Sequence, residues 1–100
     1  MSCAGSEPFA LRVLGDSMAP EFEDGAIIIV EPGQVVESGC YVVAQYEGEY
    51  VLRRLTINGG RWLLEAVSDA YPGVEIPGPA AIKGRVIQKS GSRNARKRYV

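Results

Sequence analysis

Residues 41–67 read YVVAQYEGEYVLRRLTINGGRWLLEAV, and they decide the fold. Three runs rich in β-branched and aromatic residues, 41–46, 49–57 and 61–67, suit a pleated, half-buried surface. Between them stand Glu47-Gly48 and Asn58-Gly59-Gly60, residues that tolerate the positive φ angles a tight hairpin requires. The stretch therefore predicts three consecutive antiparallel strands. Residues 9–14 (FALRVL), 26–31 (AIIIVE), 74–76 (VEI) and 82–88 (IKGRVIQ) have the same character. Asp24-Gly25, Pro32-Gly33, Ser38-Gly39 and Pro72-Gly73 mark turns around them. The expectation is a mostly β protein of about seven short strands, arranged as compact antiparallel sheets or a partial barrel. At most one short helical turn is expected, over residues 17–22 (SMAPEF) with Ser17 at the cap. Ile28, Val30, Val43, Leu55, Trp62 and Leu64 are the expected core. Residues 1–8 read as a flexible lead-in, 9–89 as one domain and 90–100 as a basic, unstructured tail.

Composition narrows the chemistry. One hundred residues fit a single domain, which at that size hides roughly two thirds of its unfolded surface. No apolar run approaches the roughly 20 residues of a membrane span. The opening MSCAGSEPF has neither the basic nor the apolar region of a secretory signal, so a cytoplasmic protein without membrane contact is expected. The chain has no histidine, which excludes Ser-His-Asp and Cys-His catalysis. Cys3 and Cys40, without histidine, do not make a structural zinc site, and no disulfide, metal or cofactor is expected.

Charge is divided along the chain. Residues 1–50 carry nine acids and one base, net −8, and residues 51–100 ten bases and three acids, net +7. Much of the positive half is Arg93, Arg96, Lys97 and Arg98. That run reads as a solvated end, because no aromatic platform or groove-reading motif accompanies it.

Side chains on a strand alternate between faces. Over residues 49–57, Arg53 shares a face with Val51, Leu55 and Ile57, and Arg54 shares the other with Tyr50, Leu52 and Thr56, so both arginines are expected to be partly buried. A charge among aliphatic groups is costly without a partner. Either Arg53 snorkels to the sheet rim or it has a task.

Taken alone, Gly15-Asp16-Ser17-Met18 and Pro20 suggest a tight turn with a capping serine. The full set reads differently. LRVLGDSMAPEFEDGAIIIVEPG, then GCYVVAQYEGEYVLRRL, RWLLEAVSDAYPGVEI and IKGRVIQ resemble, in order, the self-cleaving serine peptidase domain of the LexA, UmuD and phage-repressor family, across residues 9 to 89. The resemblance implies a serine nucleophile activated by a desolvated lysine, and Ser17 matches the nucleophile. It implies an oxyanion hole made by the backbone amides of Asp16 and Ser17, with Met18 and Pro20 shaping the turn. The family's lysine falls in a Val-Lys-Arg-Leu stretch, where this chain has Leu52-Arg53-Arg54-Leu55. Arg53 stands at the general-base position.

Burial can lower a lysine's pKa from about 10.4 into the range of a base near neutrality. Arginine starts at about 12.5 to 13.8, so a neutral guanidine at pH 7 costs roughly 8 kcal/mol. That exceeds the 10² to 10⁴-fold a general base usually contributes. Lys83, Lys89 and Lys97 match no family position and are not replacement bases. Cys3-Ala4-Gly5 resembles the family's cleaved bond but lies only twelve residues from Ser17, shorter than the usual connection.

Two functions follow. The first is a LexA-type peptidase domain whose site is silent or strongly impaired, serving a transcriptional repressor or SOS-type circuit. The second is a non-catalytic dimerisation or protein-binding module, like a phage-repressor half or a UmuD-type accessory protein, pairing through an edge strand such as residues 82–88. The resemblance implies a homodimer, a peptide segment of the chain itself or of a partner regulator as ligand, and DNA only through a domain outside this chain. Signal peptidase, a relative with the same Ser-Met-x-Pro core, is a weaker match because it needs a membrane anchor.

Overall fold

A computed structural model describes residues 7–33, 35–68, 71–90 and 96–99. Its strands are β1 (Phe9–Arg12), β2 (Ile27–Glu31), β3 (Tyr41–Tyr46), β4 (Glu49–Asn58), β5 (Arg61–Glu65), β6 (Val74–Ile76), β7 (Ile82–Ser90) and β8 (Arg96–Arg98). Among the described residues a single 3-10 turn, Pro79–Ala81, precedes β7. All pairings are antiparallel, in the order β1-β2-β7-β3-β4-β5-β6, with β8 also on β7. The mostly β architecture expected from the sequence is the one observed, as one continuous sheet. Register shifts at Ile29/Val30 and at Val43/Ala44, both against β7, bend it as β-bulges do.

The β3–β4–β5 meander forms where the alternation and turns predicted it. Tyr46 pairs with Glu49 and Asn58 with Arg61, so both loops hold two residues. Glu47 and Gly48 take φ of 52° and 80°, and Gly59 and Gly60 take 60° and 85°. Positive φ at both central positions matches the twist of the flanking strands.

Each face of the sheet buries its own core. Val43, with Met18, Phe22, Ile28, Val30 and Val86, fills the first, whereas its neighbours Val42 and Ala44, with Leu55, Leu64 and Ile76, fill the second. Five of the six expected core residues are buried; Trp62 is half-buried at the margin of the second core. Among the described residues no helix is long and apolar enough to cross a membrane.

Three expectations are corrected. Residues 82–88 do not form an edge strand. β7 lies between β2 and β3 and carries β8 as well, because Gly84 and Val86 are small enough to be buried at the sheet centre. A Cβ at Gly84 would sit 2.5 Å from Val30 Cγ1 and 3.2 Å from the Glu31 backbone. Over 17–22 the expected helical turn is reduced to a single i→i+4 backbone bond beside a tighter i→i+3 one, described below, and the helical segment proper lies at Pro79–Ala81 instead. Finally, part of the end expected to be unstructured forms β8, whose neighbour Tyr99 packs between Phe22 and Tyr41 at ring distances of 5.5 and 5.4 Å. The expected tail residues 91–95 and Val100, and Cys3-Ala4-Gly5, lie outside the described residues.

Candidate active site

The turn that carries Ser17 is built by the ends of β1 and β2. Val13 donates its N–H to the Ala26 carbonyl (2.8 Å) and accepts from the Gly25 N–H (2.7 Å), which extends the pairing beyond the strands proper. The Gly15 N–H then donates to Asp24 Oδ1 at 2.7 Å. Gly15 at φ 89° turns the chain in a conformation a side chain would oppose. Beyond it the Ala19 N–H bonds the Asp16 carbonyl (3.1 Å) and the Phe22 N–H the Met18 carbonyl (2.8 Å). Met18 and Phe22 are 1% and 0% exposed, and burial of such side chains is worth about 1.5–3 kcal/mol each. They root the turn in the first core and leave Ser17 half-buried above it. The Ala19-Pro20 peptide is cis, and Pro20 itself is exposed. From the opposite side, Ser68 donates its backbone N–H to the Ser17 carbonyl at 2.9 Å.

Arg53 arrives from β4, where register sets it opposite Val42. Val51, Leu55 and Ile57 belong to the second core, as the alternation predicted, and Leu52 packs against the first. The guanidinium folds back so that Nη1 donates both to the Leu52 carbonyl (2.7 Å) and to Ser17 Oγ (3.1 Å). Residues 36 positions apart in sequence thus meet. Arg53 is half-buried and Arg54 exposed, so only one of the two arginines expected to be partly buried is so. Withdrawal from water lowers the Arg53 pKa from its ordinary value, and the nearby Tyr71 hydroxyl opposes that shift.

Tyr71 completes the rim, donating to Asp16 Oδ1 at 2.9 Å. That bond to a carboxylate is the main reason its phenol is harder to ionise than usual, with the Asp16 charge adding to it and Arg53 working against it. Ser17, Arg53, Asp16, Met18 and Tyr71 all border one cleft of about 440 Å³, which β1 residues Leu11 and Arg12 and the β4 residues Glu49 to Leu52 also line. Pro20 faces a neighbouring depression with Glu21, Arg54 and Ser68.

Of the residues singled out from sequence, Ser17 and Arg53 are in contact, and Asp16 and Met18 support the turn between them. Asp24, Ser68 and Tyr71 were not singled out. Asp24 had been read only as a turn residue, and the SDAYP stretch held both Ser68 and Tyr71. Lys89 lies elsewhere. Its Nζ donates to the Glu21 carbonyl, lies 3.6 Å from the Glu21 carboxylate and sits over the Phe22 ring at 5.3 Å. Among the described residues no cluster of acids and cysteines could hold a metal ion.

Residues 2–87 match the family described as Peptidase S24-like. The chain belongs to that family. Peptidase S24-like relatives include a LexA repressor from Carboxydothermus hydrogenoformans, 40% identical over 85 residues, covering 81% of this chain and 41% of the repressor. Repressor protein C2 of Salmonella phage P22 is 38% identical over 87 residues, covering 81% of this chain and 40% of C2. An HTH-type transcriptional regulator for conjugative element R391 from Providencia rettgeri is 37% identical over 87 residues, 80% of this chain and 40% of the regulator. The chain spans about two fifths of the length of these relatives.

Proposed function

We propose that this S24-like domain is the regulatory half of a transcriptional repressor, with Ser17 in the nucleophile position of a serine-lysine site and Arg53 silencing it. One observation carries the reading: Arg53 Nη1 donates to Ser17 Oγ at 3.1 Å. The nitrogen stands where a base must stand, but a guanidinium has only hydrogens to offer and no lone pair to accept with. It holds the hydroxyl without activating it. The backbone amides of Asp16 and Ser17 would supply the oxyanion hole, and a peptide segment of the chain itself or of a partner regulator would lie in the cleft. DNA contact belongs to the portion of the relatives that this chain does not cover, and dimerisation to edges such as β1 or β6.

A silent site still leaves a cleft that can bind. Leu14 at 80% exposure and Tyr50 at 57% both stand on its border, and exposed apolar groups gathered at one cleft favour an interaction surface. The domain thus acts through what it holds.

The test is covalent labelling of Ser17 with a fluorophosphonate, together with cleavage of peptides spanning an Ala-Gly bond. The chain as written should give neither at neutral pH. Rapid labelling or cleavage that disappears in Ser17→Ala would overturn the silence.

A further inference from the structure

Three cations of this domain have an oxygen partner that carries charge. Arg61 pairs with Glu75 at 2.9 Å, Lys89 with Glu21 at 3.6 Å, and Arg85 approaches Glu37 at 4.0 Å. Arg53 does not. Both of its hydrogen bonds leave from Nη1 and end on neutral oxygens, Ser17 Oγ and the Leu52 carbonyl, and no carboxylate lies within ion-pair distance among the described residues. A guanidinium has five N–H donors in a planar fork. Nη1 uses two, and the three on Nε and Nη2 find no acceptor among the described residues.

The cation is also placed unlike its charged neighbours. Four charged groups border the cleft: Arg12, Asp16, Glu49 and Arg53. Arg12, Asp16 and Glu49 are exposed, and Asp16 is already engaged by Tyr71. Arg53 alone is withdrawn from water, so its charge is the least screened of the four. Around it the wall is aliphatic, with Leu11, Val13, Ile28, Val51 and Leu52. A cation held this way, against an aliphatic wall, attracts a negative charge carried on an apolar body.

We infer that the cleft binds the free C-terminal carboxylate of an apolar peptide end, gripped by the open edge of the Arg53 fork with the Ser17 hydroxyl beside it. The inference rests on the reading of the cleft as a peptide site descended from a peptidase, and adds what it now selects. A peptidase substrate presents a neutral amide carbonyl there. A bidentate guanidinium prefers the planar carboxylate that a cleaved chain would carry. Replacing a lone-pair donor by a fork of N–H groups converts a site for the bond to be cut into one for the end left after cutting.

The experiment is calorimetric titration of the unchanged chain with two acetylated pentapeptides of one sequence, a lysine followed by valine, leucine and alanine residues, one ending in a free carboxylate and the other in a carboxamide. The acid should bind at least about tenfold more tightly, the scale of one hydrogen-bonded charge pair. Arg53→Gln should erase that difference, and Ser17→Ala should keep most of it. Equal affinities for the two peptides, or binding of neither at millimolar concentration, overturns the inference, as does acetate competing as well as the peptide acid. The peptidase reading is scored separately by cleavage in Arg53→Lys, so a chain whose lysine variant cuts but whose parent does not discriminate acid from amide refutes only the carboxylate site.

Discussion

Arg53→Lys should awaken Ser17. In the present chain the guanidinium nitrogen is 3.1 Å from Oγ. A lysine Nζ takes about the place of the arginine Cζ, one C–N bond or about 1.3 Å short of Nη1, a gap that a Ser17 rotamer change can close. Reference values of about 10.4 and 12.5 differ by roughly two units, so at any pH below 10 the neutral form of lysine is about 10²-fold more abundant than that of arginine. Burial, which already pulls Arg53 downward, acts on lysine in the same direction and brings its neutral form closer to physiological pH. A Ser17-dependent rate in Arg53→Lys at least about 10² above the parent is therefore expected, within the 10² to 10⁴-fold range of general-base catalysis. It should rise tenfold per pH unit up to the lysine's own pKa and then level. The assay is fluorophosphonate labelling and peptide cleavage between pH 6.5 and 9.5, with a thermal melt at each pH to certify the fold. A folded Arg53→Lys protein with no gain across that range would refute the claim that the arginine alone silences the site.

Three further outcomes are expected. Gly84→Ala places a methyl 2.5 Å from Val30 Cγ1 and 3.2 Å from backbone. Overpacking of this kind costs about 1–3 kcal/mol, so the melting temperature should fall by roughly 4–8 °C per kcal/mol, and an unchanged melt would contradict the central position of β7. Tyr99 donates to Glu21 Oε2 at 2.6 Å, and burial above all, with that bond, raises its phenol pKa well beyond the usual range. Because the folded state favours the protonated phenol, the stability this supplies is complete below about pH 10 and is lost as pH climbs above it. Tyr99→Phe should lower stability by about 1 kcal/mol at pH 7 and flatten the alkaline fall in a urea-melt series over pH. Asp24→Ala frees the Gly15 N–H that shapes the serine turn. It should cost about 1 kcal/mol in chemical denaturation, and should slow Ser17 labelling in an Arg53→Lys background more than the stability change explains.

The sequence was most readable where structure is local. The β3–β5 meander could be read because alternation and two-residue turns act within a few positions of each other. β7 was misjudged because IKGRVIQ, with a lysine, an arginine and a glutamine, has the polarity of a strand edge. Gly84 was the clue, since a buried strand glycine marks a close approach of another backbone. β8 was missed because RKR carries no apolar signal and its docking depends on Tyr99 reaching Phe22 and Tyr41, more than fifty residues away in sequence. Ser17 and Arg53 were found through resemblance, not from spacing, for nothing local says that positions 17 and 53 touch. Ser68 and Tyr71 act through loop contacts that have no periodicity to read.

The strand order has a consequence for how the site comes into being during synthesis. β1 and β2 carry the serine turn, and β3 to β6 carry Arg53 and close on themselves as a meander. Among the described strands these two pieces meet within the sheet through β7. On the ribosome both pieces emerge before the strand that joins them, and long-range pairing of this kind is slow to form. Ser17 and Arg53 are thus expected to remain apart until Ile82–Ser90 has left the exit tunnel, so the two halves of the site stay unassembled in the nascent chain until that strand emerges.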